Sequence, residues 1–409
     1  MQRLRYALAL VCGTLACSGD DSPTVAPTSV EPPTAATTSM SPALIAEGKA
    51  IFRFDTFGDE TFWTDTLRMH EVIRTSVDPN TALSVGLKVD VDALPDAVKA
   101  GILDGTVKLD DPATTVALLG LNAVVGVVGQ VDPATNTLTR VGITCALCHS
   151  TVDNSFANGI GRRLDGWPNR TLDVGAIVAL SPALTPAQFA VYSSWEPGMY
   201  DPRFNIDGLN IPVVLPPAFG LRHVKQEIYT GDGPVSYWNA YVAITQMHGH
   251  GRFVDPRIGV SIDNRPDGVD RVSSKLEPLR AYQLSLDAPE ARPGTYDATA
   301  ARRGKAVFNG VAKCTSCHLG GALTDVNANR LHRAEEVGQD PAYALRSATK
   351  LFRTTPLRGL WNPPLLMGPY FHDGSAPTLE AVVDHYVRVL PLSLTARQKA
   401  DLVEYLKTL

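Results

Sequence analysis

The chain has 409 residues, and its 37 Lys and Arg against 42 Asp and Glu give a formal net charge of −5. This balance excludes a nucleic-acid binder that acts through a broad basic surface. With 44% hydrophobic and 19% charged residues, wholesale disorder is excluded too. The 30 Pro and 33 Gly residues indicate a loop-rich fold with short elements.

The first 17 residues have the pattern of a signal peptide. Arg3 and Arg5 precede the apolar stretch Tyr6–Ala16, which is too short to span a bilayer. It ends in Thr-Leu-Ala-Cys17, which resembles a lipoprotein lipobox, although a plain secretory signal is the alternative. We therefore expect a periplasmic or outer-envelope protein, lipid-anchored through Cys17. No transmembrane helix is expected, so membrane contact would come only from that anchor.

Residues 18–42 are rich in Ser, Thr and Pro and lack apolar periodicity. Such sequence cannot bury a core, so a disordered tether is predicted there.

Two CxxCH motifs carry the chemistry of the chain. The spacing places two thiols about one helical turn apart, where they can add to the vinyl groups of one porphyrin, while the next residue offers an imidazole to the iron. This predicts two covalently bound haem c groups. The attachment residues would be Cys145, Cys148, Cys314 and Cys317, and the proximal iron ligands His149 and His318.

A CxxC pair can also serve as a redox pair, as half of a zinc site or as structural disulfides. A thioredoxin-like pair needs an early position in a βαβ unit, which neither copy has. A zinc ribbon would use both pairs on one metal, but they lie far apart in sequence and each has its own His. Structural disulfides after export are the third alternative, and haem attachment is favoured over all of them.

An internal repeat surrounds the two motifs. Gly48-Lys-Ala-Ile-Phe52 matches Gly304-Lys-Ala-Val-Phe308, and the pattern Leu-x-x-Tyr-x-x-x-Leu occurs at 279–286 and again at 402–409. These are helical spacings. The arrangement looks like the cytochrome c fold, in which the first and last helices cross with a Gly opposite an aromatic residue. We therefore expect Gly48 to contact Tyr282 and Gly304 to contact Tyr405.

The predicted fold class is mainly α, with two tandem cytochrome c-like domains at 43–290 and 296–409. The first carries a large insertion at about 53–140, since its distance from Gly48 to Cys145 far exceeds that from Gly304 to Cys314. A helical segment is predicted at Phe62–Ile73. The Gly-rich sequence before the first CxxCH predicts a β-hairpin, and a Pro-rich linker follows at 287–299.

The second half resembles bacterial di-haem cytochrome c peroxidases and their MauG-type relatives. The resemblance is carried by Thr355-Pro-Leu-Arg-Gly-Leu, by Gly368-Pro-Tyr-Phe-His-Asp-Gly-Ser375 and by Thr378-Leu-Glu-Ala-Val-Val-Asp-His-Tyr386. It implies two haems, one exchanging electrons with a partner and one reacting with peroxide. It also implies a Met or Tyr sixth ligand at the electron-transfer haem. The family's displaceable His after the first CxxCH has no counterpart, because no His lies between His149 and His223.

The sequence does not decide which residue is the distal iron ligand at either haem. At the second haem the candidates are Met367, Tyr386 and His385, or an open site. At the first haem they are His248 and His250, with Met247 and His223 as weaker alternatives.

Charged residues supply further candidates. Glu196 and Asp232 are candidate proton donors. Arg162, Arg163 and Arg358 could pair with haem propionates or face solvent.

Three function classes fit these features. The first is a di-haem electron carrier with two six-coordinate irons, and the second an oxidoreductase that reduces hydrogen peroxide at haem one. The third is a redox-sensing subunit. We expect an electron-transfer protein related to the peroxidases, with a small redox protein or a quinol-linked donor as its partner and no nucleic acid.

Overall fold

The computed structural model describes residues 40–362 and 367–409. The signal and lipobox prediction at 1–17, and the tether as far as residue 39, lie outside the described residues. Pro42, predicted to close the tether, instead begins the first helix, because Ser41 caps it by accepting a hydrogen bond from the Leu44 backbone N–H at 3.2 Å. In the described part of the chain, no helix is long and apolar enough to cross a membrane.

The described residues are mainly helical, as predicted, with small two-stranded sheets. The helices are α1 Pro42–Phe54, α2 Met69–Ser76, α3 Pro79–Ser84, α4 Asp96–Asp104, α5 Pro112–Gly120, α6 Ala146–His149, α7 Val174–Ala179, α8 Pro186–Tyr192, α9 Phe204–Asp207, α10 Val235–Thr245, α11 Leu276–Ser285, α12 Ala298–Asn309, α13 Ala334–Val337, α14 Leu379–Val389 and α15 Ala396–Leu406. The strands are β1 Val89–Asp90, β2 Val127–Asp132, β3 Thr137–Ile143, β4 Ser150–Val152, β5 Ile160–Gly161, β6 Arg163–Asp165, β7 Met199–Tyr200, β8 Val213–Val214, β9 Gly251–Asp255 and β10 Val260–Asn264.

Two helix pairs repeat the same packing. Helix α1 packs on α11, and α12 packs on α15. A Cβ on Gly48 would meet the Cβ of Tyr282 at 2.8 Å, and a Cβ on Gly304 would meet that of Tyr405 at 2.9 Å. Both predicted glycine–tyrosine contacts are therefore confirmed, and the glycines allow the helices to approach to backbone distance.

An aromatic pair closes each crossing on the same side. Phe52 meets Tyr282 edge-on with ring centroids 5.5 Å apart, and Phe308 meets Tyr405 edge-on at 5.2 Å. All four residues belong to the two cores that the helix pairs bury. The sequence repeat thus corresponds to a structural repeat.

The long segment between α1 and the first CxxCH contains the predicted β-hairpin, in which Val127 of β2 pairs with Ile143 of β3. The segment predicted to be helical at Phe62–Ile73 is helical over most of its length, but it is divided into two parts. A wide turn at Thr61–Thr66 ends at Leu67, and Arg68 takes a left-handed conformation (φ 58°) before α2 begins. That residue breaks the helical path, which the apolar spacing alone did not reveal.

A large hydrophobic core joins this insertion to the chain after the first CxxCH. Trp63, Leu119 and Leu138 pack there with Leu172 and Trp195. The insertion is therefore an integral part of the first half. A second hairpin, β9–β10, follows α10 and was not predicted.

The two halves meet through polar contacts. The guanidinium of Arg346 donates to both carboxylate oxygens of Asp201 at 3.0 Å. The backbone N–H of Val214 donates to the His372 carbonyl at 2.8 Å, and the N–H of Arg353 donates to the Tyr229 carbonyl at 2.7 Å. A segment of each half is thereby held against the other.

Gly304→Ala is expected to lower the free energy of unfolding by at least about 1–3 kcal/mol, because the new methyl group would overlap the Asp401 carbonyl. Gly321→Ala is the matched control, since a Cβ there meets nothing within 4 Å, and it should change stability by no more than about 0.5 kcal/mol. Urea unfolding followed by circular dichroism measures both. Equal stabilities for the two variants would contradict the close crossing.

Candidate functional site

A cavity of about 780 Å³ reaches both CxxCH motifs. Ligand pockets usually measure about 300–1,000 Å³, so this one can hold a large cofactor. Its wall contains all six residues predicted to attach or ligate haem, namely Cys145, Cys148, His149, Cys314, Cys317 and His318. The structure therefore brings the two motifs to one connected space.

The first motif follows strand β3 directly. Thr144 follows the strand, and its hydroxyl accepts a hydrogen bond from the Ala146 N–H at 3.3 Å at the start of the one-turn helix α6. His149 closes that turn, and its Nδ1 lies 3.0 Å from the Pro216 carbonyl oxygen. A carbonyl only accepts, so Nδ1 carries the proton and Nε2 keeps a lone pair. Burial lowers the pKa of His149, which favours this neutral form.

The second motif repeats that geometry on a different local structure. Cys314–Ser316 forms a 3₁₀ turn after α12, and the Nδ1 of His318 lies 2.9 Å from the Leu323 carbonyl oxygen. Burial lowers the pKa of His318 as well. Each motif thus presents a neutral imidazole whose orientation is fixed by a backbone carbonyl and whose Nε2 is able to ligate a metal.

Among the residues that the structure describes, the four motif cysteines do not come together as one group of metal donors. Burial raises the pKa of Cys145 and Cys148 to about 12 and that of Cys314 to about 11. Within the described ranges, the one group of three metal-type donors is Cys317 with Asp325 and His332. The two CxxC pairs are not joined in it, so this geometry does not support the zinc-ribbon alternative.

The two histidines proposed for the first site have different positions. His248 lies on the cavity wall and stacks on Phe62 with ring centroids 3.6 Å apart. Burial lowers the pKa of His248 to about 4, so its imidazole is neutral at pH 7. His250 is absent from that wall, and its ring lies between the Thr61 hydroxyl at 3.1 Å and Arg271 at 3.0 Å. Of the two histidines, His248 is therefore the better placed to contact a cofactor in the cavity.

The candidates at the second site divide in the same way. Met367 and Tyr386 both line the cavity, and both are largely buried. Burial raises the pKa of Tyr386 to about 12, so its phenol is protonated at neutral pH. His385 instead contacts the Val337 carbonyl through Nε2 at 2.9 Å, away from the cavity lining. Of the three candidate ligands, Met367 and Tyr386 are therefore the two that line the cavity.

Neither predicted proton donor lies on the cavity wall. Glu196 is exposed in the turn before β7. Asp232 is buried, and it accepts hydrogen bonds from the Thr230 hydroxyl at 2.8 Å and from the Thr349 N–H at 3.2 Å. It contributes to the contact between the halves, so we do not propose either carboxylate as a proton donor.

The three arginines predicted to pair with haem propionates lie in different environments. Arg358 lines the cavity and donates to the Gly321 carbonyl at 2.9 Å. Arg162 is exposed, and Arg163 forms a buried ion pair with Asp90 at 3.0 Å. Of the three, only Arg358 is placed to reach a cofactor in the cavity.

Two wall arginines with buried, unpartnered nitrogens were missed from the sequence. Arg170 donates to the Met367 carbonyl at 3.1 Å, and Arg353 donates to the Ile228 carbonyl at 3.2 Å. Arg170 Nε and Nη1 and Arg353 Nη1 are buried without a hydrogen-bond partner. Burial lowers the pKa of each arginine to about 10, so both still carry charge at pH 7. Arg353 stands two residues before the Thr355 motif run, which was the available signal.

His332 was missed too. Its ring lies 3.0 Å from Asp325 through Nε2 and 2.9 Å from Glu336 through Nδ1. A hydrogen bond with Cys317, together with those to Glu336 and Asp325, raises the pKa of His332 to about 10. Asp325 and Glu336 hold the His332 ring beside the second motif.

These features fit haem c. Paired thiols, an adjacent imidazole, an apolar cavity wall and buried cationic N–H groups without partners suit an iron porphyrin with two carboxylate arms.

Comparison with known proteins agrees with the motif analysis. No protein-family model matches the chain. The methylamine utilization protein MauG of Methylorubrum extorquens is 32% identical over 164 residues, which are 35% of this chain and 45% of that protein. The chain thus spans about half the length of the curated relative it matches. The resemblance to MauG-type proteins is confirmed.

Two solved structures also match over part of their length. Hydrazine synthase of Kuenenia stuttgartiensis, pressurized with xenon, is 26% identical with a TM-score of 0.24, over 35% of this chain and 59% of that chain. A MauG-like protein associated with microbial copper homeostasis is 23% identical with a TM-score of 0.26, over 36% of this chain and 61% of that chain.

Arg170→Met tests for an anionic group in the cavity. A buried charge that loses its partner is destabilising, whereas replacing an unpaired buried charge by an apolar side chain is neutral or stabilising. With an anionic cofactor arm beside Arg170, the variant should lose about 3–5 kcal/mol of unfolding free energy in the protein purified from cells. The exposed Arg162→Met should change it by less than about 0.5 kcal/mol. A more stable Arg170→Met protein in chemical denaturation would exclude the anionic partner.

Proposed function

We propose that this chain is an exported di-haem c-type cytochrome that acts in electron transfer and is related to the di-haem peroxidases. The observation that carries the proposal is the repeated geometry of the two motifs. In each, a carbonyl holds the imidazole Nδ1–H while Nε2 and two thiols border the shared cavity.

The chain's residues would hold the cofactors as follows. Cys145 and Cys148 attach one haem and Cys314 and Cys317 the other, with His149 and His318 as proximal ligands. When bound, each haem supplies one-electron chemistry at iron and, where a coordination position is open, a place for a small oxidant. Arg170, Arg353 and Arg358 are placed to pair with carboxylate arms, and the apolar wall excludes water.

The proposed architecture is two tandem cytochrome c-like domains, 43–290 and 296–409. Support comes from the repeated helix pairs α1–α11 and α12–α15 with their glycine–aromatic crossings. Export to the periplasm or outer envelope, with lipid on Cys17, rests on the sequence of residues 1–17. The partner that exchanges electrons with it is a small redox protein or a quinol-linked donor.

We assign small-oxidant chemistry, with hydrogen peroxide as the candidate substrate, to the first site. Its side chain on the cavity wall is His248, which has a positive φ of 64° and whose backbone carbonyl accepts a hydrogen bond from Asn264 at 2.6 Å. The neutral imidazole can either ligate a metal or accept a proton on a ring nitrogen. Permanent ligation by His248 would instead make the protein an electron carrier with two closed sites.

A pyridine haemochrome assay on the purified protein should give two haems per chain. The Cys314→Ala/Cys317→Ala variant should retain one, because the first motif is independent of the second in its backbone contacts. Haem that is extracted by acidified solvent, or a content of zero, would contradict covalent attachment.

The distal assignment at the first site predicts a difference between two neighbouring histidines. His248→Ala should change the electronic absorption and paramagnetic resonance spectra of the first haem, whereas His250→Ala should leave them unchanged, since Thr61 and Arg271 hold His250 elsewhere. The opposite pattern would make the assignment wrong. If neither haem binds carbon monoxide and no peroxide is consumed, the carrier function replaces the peroxidase-like one.

A further inference from the structure

The two CxxCH motifs differ in exposure. At the first motif, Ala146 and Leu147 are buried, and Gly126 of the hairpin segment lies directly against Leu147. At the second, Val311 is 53% exposed and Leu319 is 38% exposed. These two apolar side chains flank the motif in sequence. The second motif thus lies at an open surface, whereas the insertion and its hairpin cover the first.

Basic residues surround the exposed motif. In residues 310–333 the single acidic residue, Asp325, is fully buried, while Lys313, Arg330 and Arg333 are exposed. Arg330 also donates to the Ser316 carbonyl within the motif at 3.3 Å. The exposed charges of this segment are therefore all positive, in a chain whose net charge is −5.

A second segment adds cations to the same place. The Lys225 backbone N–H donates to Asn327 at 2.8 Å and its ammonium to Asn329 at 2.7 Å, which fixes residues 219–226 beside the loop. Both Arg222 and Lys225 of that segment are exposed.

We refer to these residues together as the basic face, which comprises Arg222, Lys225, Lys313, Arg330 and Arg333 around Val311 and Leu319. The nearest exposed carboxylates along the chain, Glu335 and Glu336, follow it in α13, and Glu336 is engaged by His332.

We propose that the basic face docks an acidic electron-carrier protein, which exchanges electrons with the cofactor at the second motif. This inference rests on the proposed function and names the partner's charge and its docking site. One electron leaves the reduced carrier, which becomes oxidised by one equivalent, and enters the cofactor at the second motif, with no bond formed or broken. A small apolar centre within a charged ring suits a transient complex that is steered electrostatically.

A membrane surface fits this face less well. Helices that lie in a bilayer interface bury a long apolar face to a depth of about 5–10 Å. The basic face is built from the loops around Cys314–His318 and residues 219–226, and its exposed apolar side chains are Val311 and Leu319. Binding to anionic lipid is therefore treated as an outcome of the test.

The test uses the full chain with both haems and a reduced plant-type [2Fe–2S] ferredoxin as the acidic probe protein. Stopped-flow spectroscopy gives the second-order rate constant for haem reduction at low and at high salt. The rate should fall about tenfold or more as salt rises. At low salt it should fall by a similar factor in Lys225→Glu/Arg333→Glu. Lys108→Glu, an exposed lysine of the insertion, should match the unchanged protein.

Calorimetric titration with the oxidised ferredoxin provides a readout that does not depend on electron transfer. Affinity should drop in the double variant and not in Lys108→Glu. Equal rates and affinities in all three proteins would overturn the proposal, as would faster reaction with a basic cytochrome c probe. Binding to phosphatidylglycerol vesicles that the double variant loses, with unchanged ferredoxin rates, would show a membrane face instead.

Haem content is measured first in every protein. An absence of haem would contradict the proposed function, and the calorimetric comparison would still report separately on the basic face.

Discussion

Both candidate centres depend on one hydrogen bond, in which an imidazole Nδ1–H donates to a backbone carbonyl. His149 uses the Pro216 oxygen and His318 the Leu323 oxygen. The bond fixes the tautomer and the ring plane, so that Nε2 keeps its lone pair. Without it, each thiol pair would border an apolar cavity with no oriented base. The two acceptors come from different contexts, one 67 residues away and one five residues away, so the same chemistry arises from two local structures.

The fold repeats the same helix packing around the two motifs. In each half two helices cross at a glycine, and the aromatic edge contacts close the crossing beside the motif. The insertion shares a core with the chain after the first motif and covers that motif, whereas the second motif stays at the surface among cations. This asymmetry separates the proposed roles, since a covered site suits a small oxidant and an open one suits a protein partner.

Features that a repeat or a local sequence pattern carries were predictable. The long-range crossings follow from the glycine–tyrosine repeat, and the spacing Thr395-x-x-Gln398 is that of the capping box which the structure forms. Features that no repeat or local pattern carries were not predictable. The left-handed Arg68 breaks a helix that apolar spacing favoured. The separation of His248 from His250 depends on Phe62, Thr61 and Arg271, which are distant in sequence. Arg170 is recognisable only once its unpartnered nitrogens are seen on the cavity wall.

The most direct test of the central claim is peptide mapping of the purified protein by mass spectrometry after proteolysis. The account predicts that the peptide containing Cys145–His149 and the peptide containing Cys314–His318 each carry one porphyrin, with no thiol at these four cysteines open to alkylation. Recovery of both peptides with alkylated, unmodified cysteines would contradict it.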